Sequence, residues 1–116
     1  MSNLQTFPEL NYVTFTGKVL DKGDLSLSSI DIYVIRLRIE NTLTYQGGSE
    51  TRKRVSEISV EAWGQLAEDV NRRVRAGSTV LVEGNLISRA FENQKKATYH
   101  RISVKASSVR NLDTRS

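Results

Sequence analysis

The sequence predicts an all-β fold: a small five-stranded Greek-key barrel with one short helix between strands 3 and 4. Three observations carry this. Several stretches alternate apolar and polar residues with a period of two, the mark of a half-buried strand. Only Gln65 to Ala76 switches to a helical period. Glycines such as Gly17 interrupt the strand patterns, where a barrel needs a bulge or a tight bend.

Each element has its own justification. Residues 1–10 hold the only proline, Pro8, and no periodicity, so they read as an arm. Tyr12 to Leu20 is a strand, with Val13, Phe15 and Val19 alternating against Tyr12, Thr14, Thr16 and Lys18. Asp21 to Ser29 is a polar turn region. Ile30 to Glu40 is a second strand, with Tyr33, Ile35, Leu37 and Ile39 on one face and Ile32, Val34, Arg36, Arg38 and Glu40 on the other. Asn41 to Arg54 reads as a long polar loop containing Gly47-Gly48 and the cluster Arg52-Lys53-Arg54. The third strand ends at Trp63. Its core face holds Ile58, Val60 and Ala62; its polar face holds Glu57, Ser59, Glu61 and Trp63.

In the helix, Leu66, Val70 and Val74 recur every four residues, and Gly77 is placed to cap the C-terminus. Arg72, Arg73 and Arg75 fall in its last turn, where cations suit the helix dipole. Thr79 to Ile87 is the fourth strand and Ser88 to Lys96 a polar loop carrying Phe91. Tyr99 to Ala106 is the fifth, with His100, Ile102, Val104 and Ala106 on the core face against Tyr99, Arg101, Ser103 and Lys105. Residues 107–116 fade into a polar tail. This order fits the barrel known as the OB-fold. An α+β sandwich of another topology shares the pattern.

At 116 residues the chain is one domain, with residues 11–112 as its body and 113–116 as a tail. Its net charge is +4, unevenly spread. Residues 1–70 hold seven Lys/Arg against ten Asp/Glu, a balance of −3; residues 71–116 hold ten against three, a balance of +7. A basic half suits phosphate contacts or simply a solvated surface. The absence of cysteine removes disulfides, thiolate catalysis and cysteine-bound metal. One histidine leaves too few ligands for a typical catalytic zinc site, and no P-loop or Gly-x-Gly-x-x-Gly occurs. The pattern points away from an enzyme and implies no cofactor. No apolar run approaches the roughly 20 residues of a membrane span. Residues 1–10 lack the plan of a signal or transit peptide, so a cytosolic protein is the default.

Trp63 is the informative residue. A large aromatic on the polar face of a strand serves no core, and a nucleobase is the flat partner most available to a basic protein. Its structural alternative is to tuck under the following helix. The polar faces also collect Lys18, Arg36, Arg38, Arg101 and Lys105, with Arg89 and Phe91 in the adjoining hairpin. Cations following phosphates and rings taking bases are what a single strand needs. Tyr12 and Tyr99 are assigned to packing or an interface. Glu57 and Glu61 interrupt the attractive face and are placed to pair with Arg36 or Arg38.

Trp63-Gly64-Gln65-Leu66-Ala67-Glu68 resembles the bacterial single-stranded DNA-binding protein family at the junction of its third strand and helix. Ala76-Gly77-Ser78-Thr79-Val80, Val82-Glu83-Gly84-Asn85-Leu86, Ser88 to Gln94 and Thr16-Gly17-Lys18-Val19 continue the match in order, over roughly residues 11–112. The resemblance implies an OB-fold that wraps single-stranded DNA without strong sequence preference in replication, recombination or repair. It implies a homotetramer, in the bacterial nucleoid or an organelle, with replication or repair proteins as further partners. Trp63 and Phe91 occupy two of the family's stacking positions. Glu57 and Glu40-Asn41 stand where aromatics are often found. Arg52, Lys53 and Arg54 fall in a loop that in this family is a mobile hairpin folding over DNA. Family members usually end in a flexible linker with an acidic tip, whereas Asn111 to Ser116 is basic to neutral. That departure fits a truncated chain or the primosomal replication protein N relatives, short dimers acting in replication restart, with nucleic-acid binding secondary.

Overall fold

In the computed structural model, residues 7–113 are described. The strands are β1 (Val13–Lys22), β2 (Ser26–Leu27), β3 (Tyr33–Gly47), β4 (Glu50–Trp63), β5 (Thr79–Glu92) and β6 (Thr98–Asn111). The one helix, α1 (Gln65–Arg73), lies between β4 and β5. The sheet order is β1-β5-β6-β4-β3-β2, and a further β1–β3 pairing closes it. Five long strands therefore form the expected barrel, with the two-residue β2 appended to β3.

Closure depends on β1 serving two neighbours. Residues 13–18 pair with β5 and residues 18–22 with β3, with a register shift between Val19 and Asp21. Gly17 sits at this handover. A Cβ there would lie 2.5 Å from the Glu40 carbonyl oxygen, so the position requires glycine for close approach. The core it encloses comprises Val19, Ile35, Leu37, Ile39, Val60, Ala62, Val80, Val82 and Val104, with Ala67, Val70 and Val74 from the helix side. These are the alternating residues of each strand and the four-residue repeat of the helix, as the periodicities require.

Several boundaries differ from the sequence expectation. The supposed loop Asn41 to Arg54 is instead the far half of a β3–β4 hairpin, paired without interruption to Gly47↔Glu50 and turned at Gly48, φ 68°. Likewise β5 and β6 run on to Glu92 and Thr98, and only 93–97 form the turn. Both hairpin arms project beyond the core, so both faces meet solvent. Backbone hydrogen bonds hold them, and the alternation they carry, as in Thr42-Leu43-Thr44-Tyr45, buries neither face. For the same reason His100 and Ile102, expected in the core, are exposed.

The second strand begins at Tyr33 rather than Ile30. Tyr33 is exposed at its first residue, while Val34, opposite Ser26 and Trp63 in the pairing register, keeps its expected face with Arg36 but is buried there, the reverse of the burial expected for the pair. The helix ends earlier than expected. Val74 is already extended, leaving Arg75 outside, and Gly77 (φ 93°) belongs to the Arg75–Ser78 turn rather than to a cap. At the far end, β6 continues to Asn111, and the Thr79 N–H donates to Asp113 Oδ1 at 2.9 Å, so the supposed tail is tied to the barrel.

Candidate nucleic-acid interface

One continuous sheet face carries most of the expected residues. Directly paired residues share a face and alternate residues return to it. Arg36 pairs with Glu61, Arg38 with Ser59, Glu61 with Lys105, Lys105 with Asn85, Arg89 with Arg101 and Phe91 with Tyr99. Across β3, β4, β6 and β5 the face thus presents Arg36 and Arg38, then Glu61 and Trp63, then Lys105, Arg101 and Tyr99, then Arg89 and Phe91. A groove in it is lined by Arg36, Arg38, Glu61, Arg89, Phe91 and Arg101, together with Asp21.

The aromatic groups sit at two stations. At the first, Trp63 is half-buried at the end of β4, its indole Nε1–H donating to Glu61 Oε1 at 2.8 Å. The Lys105 ammonium lies over its ring, 5.7 Å from the centroid. At the second, Phe91 and Tyr99 stack across the β5–β6 arm, centroids 5.5 Å apart with planes 23° from parallel. The Arg101 guanidinium lies over both, 5.4 Å from the Phe91 centroid and 6.0 Å from that of Tyr99. Each station is a flat ring with a cation beside it, the pairing that stacks a base and meets its phosphate.

Glu61 is the departure from expectation. The strand alternation puts it on the polar face, and it does lie there, yet its exposure is only 2%. Arg89 clasps it with both terminal guanidinium nitrogens, NH1 to Oε2 at 2.7 Å and NH2 to Oε1 at 2.9 Å. Arg36 Nε stands 4.0 Å away. Burial is the largest influence on its carboxyl group and pushes the pKa up. Hydrogen bonds from Arg89 and Trp63, together with the charges of Arg89 and Arg36, outweigh it and leave the pKa below the usual glutamate value. The same clasp raises the pKa of Arg89 further, first through the hydrogen bond to Glu61. Arg89 is therefore committed within the protein rather than held out as a loose cation.

The other cations divide by neighbourhood. Arg38 NH1 donates to Glu57 Oε1 at 2.8 Å, both groups about half exposed, so solvent screens that pair. Among the described residues, the ion pairs involve neither Arg101 nor Lys105. Lys18 is exposed at the closing seam, opposite Glu40, and is not among the groove residues.

The expected cluster on the β3–β4 arm is split. Lys53 pairs with Thr44 on the Arg38 side of the sheet, whereas Arg52 and Arg54 oppose Tyr45 and Leu43 on the reverse side. Arg54 lies over the Tyr45 ring at 5.3 Å, and Arg52 NH2 is 3.9 Å from Glu50. Tyr99, assigned to packing, belongs to the second aromatic station. Counting back equally from the 93–97 turn places it opposite Phe91, a register that follows only once the turn is located. Among the described residues, no group of three or more His, Asp or Glu is arranged to hold a metal.

Comparison with known proteins places this geometry in a family. Residues 10–112 match the Single-strand binding protein family. The single-stranded DNA-binding protein 2 of Streptococcus agalactiae (serotype III) is 29% identical over 106 residues, covering 91% of this chain and 79% of that protein. The single-stranded DNA-binding protein of Helicobacter hepaticus is 34% identical over 70 residues, 60% of this chain and 41% of that one. Among solved structures, the Plasmodium falciparum SSB in complex with ssDNA superposes with a TM-score of 0.83 at 16% identity, covering 94% of this chain and all of that one. A deletion mutant of the single-stranded DNA-binding protein from Thermus aquaticus gives 0.79 at 21%, and this chain spans about half its length (52%). These likenesses establish the OB-fold, and the match over 10–112 establishes kinship: the chain belongs to the single-strand binding protein family.

Proposed function

We propose that this protein binds single-stranded DNA with little sequence preference and shields it during replication, recombination or repair. Bases stack at Trp63 and at the Phe91–Tyr99 pair, while Arg36, Arg101 and Lys105 follow the phosphates. The observation that carries this is the placement of a cation over each aromatic station on one face, Lys105 on Trp63 and Arg101 on Phe91 and Tyr99. Stacking serves any base because every base has a π-face, so no base-edge readout is needed. A duplex hides those faces in its own stack, so the aromatic stations favour a single strand.

The test is a titration with oligo-dT and with duplex of equal length at moderate salt. Clear preference for oligo-dT is expected. Equal or tighter binding to duplex would overturn the proposal.

A further inference from the structure

Glu61 poses a physical question. A carboxylate at the centre of a phosphate-binding face repels the ligand, and burying it costs solvation that an apolar residue would avoid. An exposed Glu61 would be a liability without return. Here it is 2% exposed and both its oxygens are occupied, one by Trp63 Nε1 and Arg89 NH2, the other by Arg89 NH1. One side chain thus holds the stacking ring and the adjacent cation in a single arrangement.

We propose, building on the single-strand reading above, that Glu61 is a positioning residue acting as the internal counter-anion of the face. It fixes the Trp63 ring for stacking and withdraws Arg89 from phosphate binding. Glu61 then cancels the charge of Arg89 and leaves Arg36, 4.0 Å away, as the uncancelled cation beside the clasp, with Lys105 by Trp63 and Arg101 by Phe91 at the stations. A strand crossing the face meets rings and a neutral clasp in the middle and positive charge only where its phosphates pass. Arg89, basic by sequence and on the right face, contributes geometry and no counterion release.

This separates from a merely structural ion pair by the salt dependence of binding. In Glu61→Gln the amide oxygen can still accept from Trp63, but the charge that holds Arg89 is gone. The freed guanidinium then neutralises one more phosphate. The log–log salt slope for oligo-dT should steepen by about 0.7, so a fourfold rise in salt costs the variant about 2.5-fold more affinity than the wild type. In Glu61→Gln/Arg89→Gln the slope should return to the wild-type value, and in both variants oligo-dT should still quench Trp63 fluorescence. An unchanged slope in Glu61→Gln, with wild type binding normally, overturns this proposal alone. A double variant with a slope shallower than wild type also overturns it, because Arg89 would then contact phosphate despite Glu61. A wild type with no preference for oligo-dT overturns the underlying function as well. Circular dichroism of each variant separates a lost fold from a changed slope.

Discussion

At the scale of single residues, Trp63 and Glu61 depend on each other. Trp63 is the only tryptophan, so its fluorescence reports the first station without ambiguity. Oligo-dT should quench it, and Trp63→Ala should weaken binding by about 1–3 kcal/mol, the range for one lost base–aromatic stack. Trp63→Phe, which keeps a ring but loses the N–H donated to Glu61, should fall between the two. An alanine variant of full affinity would assign Trp63 to packing beside Val34. Glu61 gives a separate test through pH. Its folded-state pKa lies below the ordinary value, so its stabilisation is complete above the ordinary glutamate pKa, about 4.3, and is lost as pH falls through the folded value. Glu61→Gln should cost about 1–3 kcal/mol at pH 7, less than a fully buried pair because Arg89 is 44% exposed. Urea unfolding at pH 7 and pH 3 checks this; a deficit equal at both would show that shape, not charge, is what Gln fails to supply. The sequence put Glu61 on the correct face but could not show it buried. Its burial comes from Arg89 and Trp63 closing over it from two other positions in the chain.

At the scale of elements, two glycines set where strands can cross. Gly84 lies at the β5 register shift, and a Cβ there would come 2.2 Å from the Lys105 carbonyl oxygen; Gly17 meets the Glu40 carbonyl at 2.5 Å. Neither obstacle is a flexible side-chain end, so relief needs backbone movement. Gly17→Ala and Gly84→Ala should each destabilise by about 1–3 kcal/mol or more, read as a lower urea midpoint. Gly48, with open space around it, makes the contrast: its cost comes only from φ 68°, and an Asn there should be tolerated. The barrel strands were legible because each has one face in the core, which writes a period of two into residues such as Ile35, Leu37 and Ile39. The arms were not, because Leu43, Tyr45 and Val55 are exposed and alternate with nothing buried. Residue types at Trp63, Phe91, Arg101 and Lys105 identified the face, while the separation of Arg52 and Arg54 from Lys53 depended on knowing that a strand, not a loop, carries them.

For the molecule as a whole, the arms dominate its dimensions. The radius of gyration is 17.6 Å, against about 13 Å for a compact chain of this length. Arms of this reach extend the basic aromatic face past the barrel wall, so a bound strand can touch charge over a longer path. With Arg36, Arg101 and Lys105 as the available cations, three phosphates at about 0.7 each give a log–log salt slope near −2 for oligo-dT, and a flat response would mean the basic half serves another partner. The same projection leaves an edge to be satisfied. Residues 13–17 of β1 pair with β5 on one side only, since pairing with β3 starts at Lys18. An open strand edge is a template for another strand. It is flanked by Tyr12, 66% exposed, whose hydroxyl donates to Glu83 at 2.7 Å and so holds the ring on the outer surface. A second copy pairing along this edge would extend the barrel into a continuous sheet and bring two binding faces into one particle. Light scattering at micromolar concentration should therefore give a mass at least twice 13.1 kDa, and a steady 13.1 kDa across that range would leave the β1 edge protected by some other means.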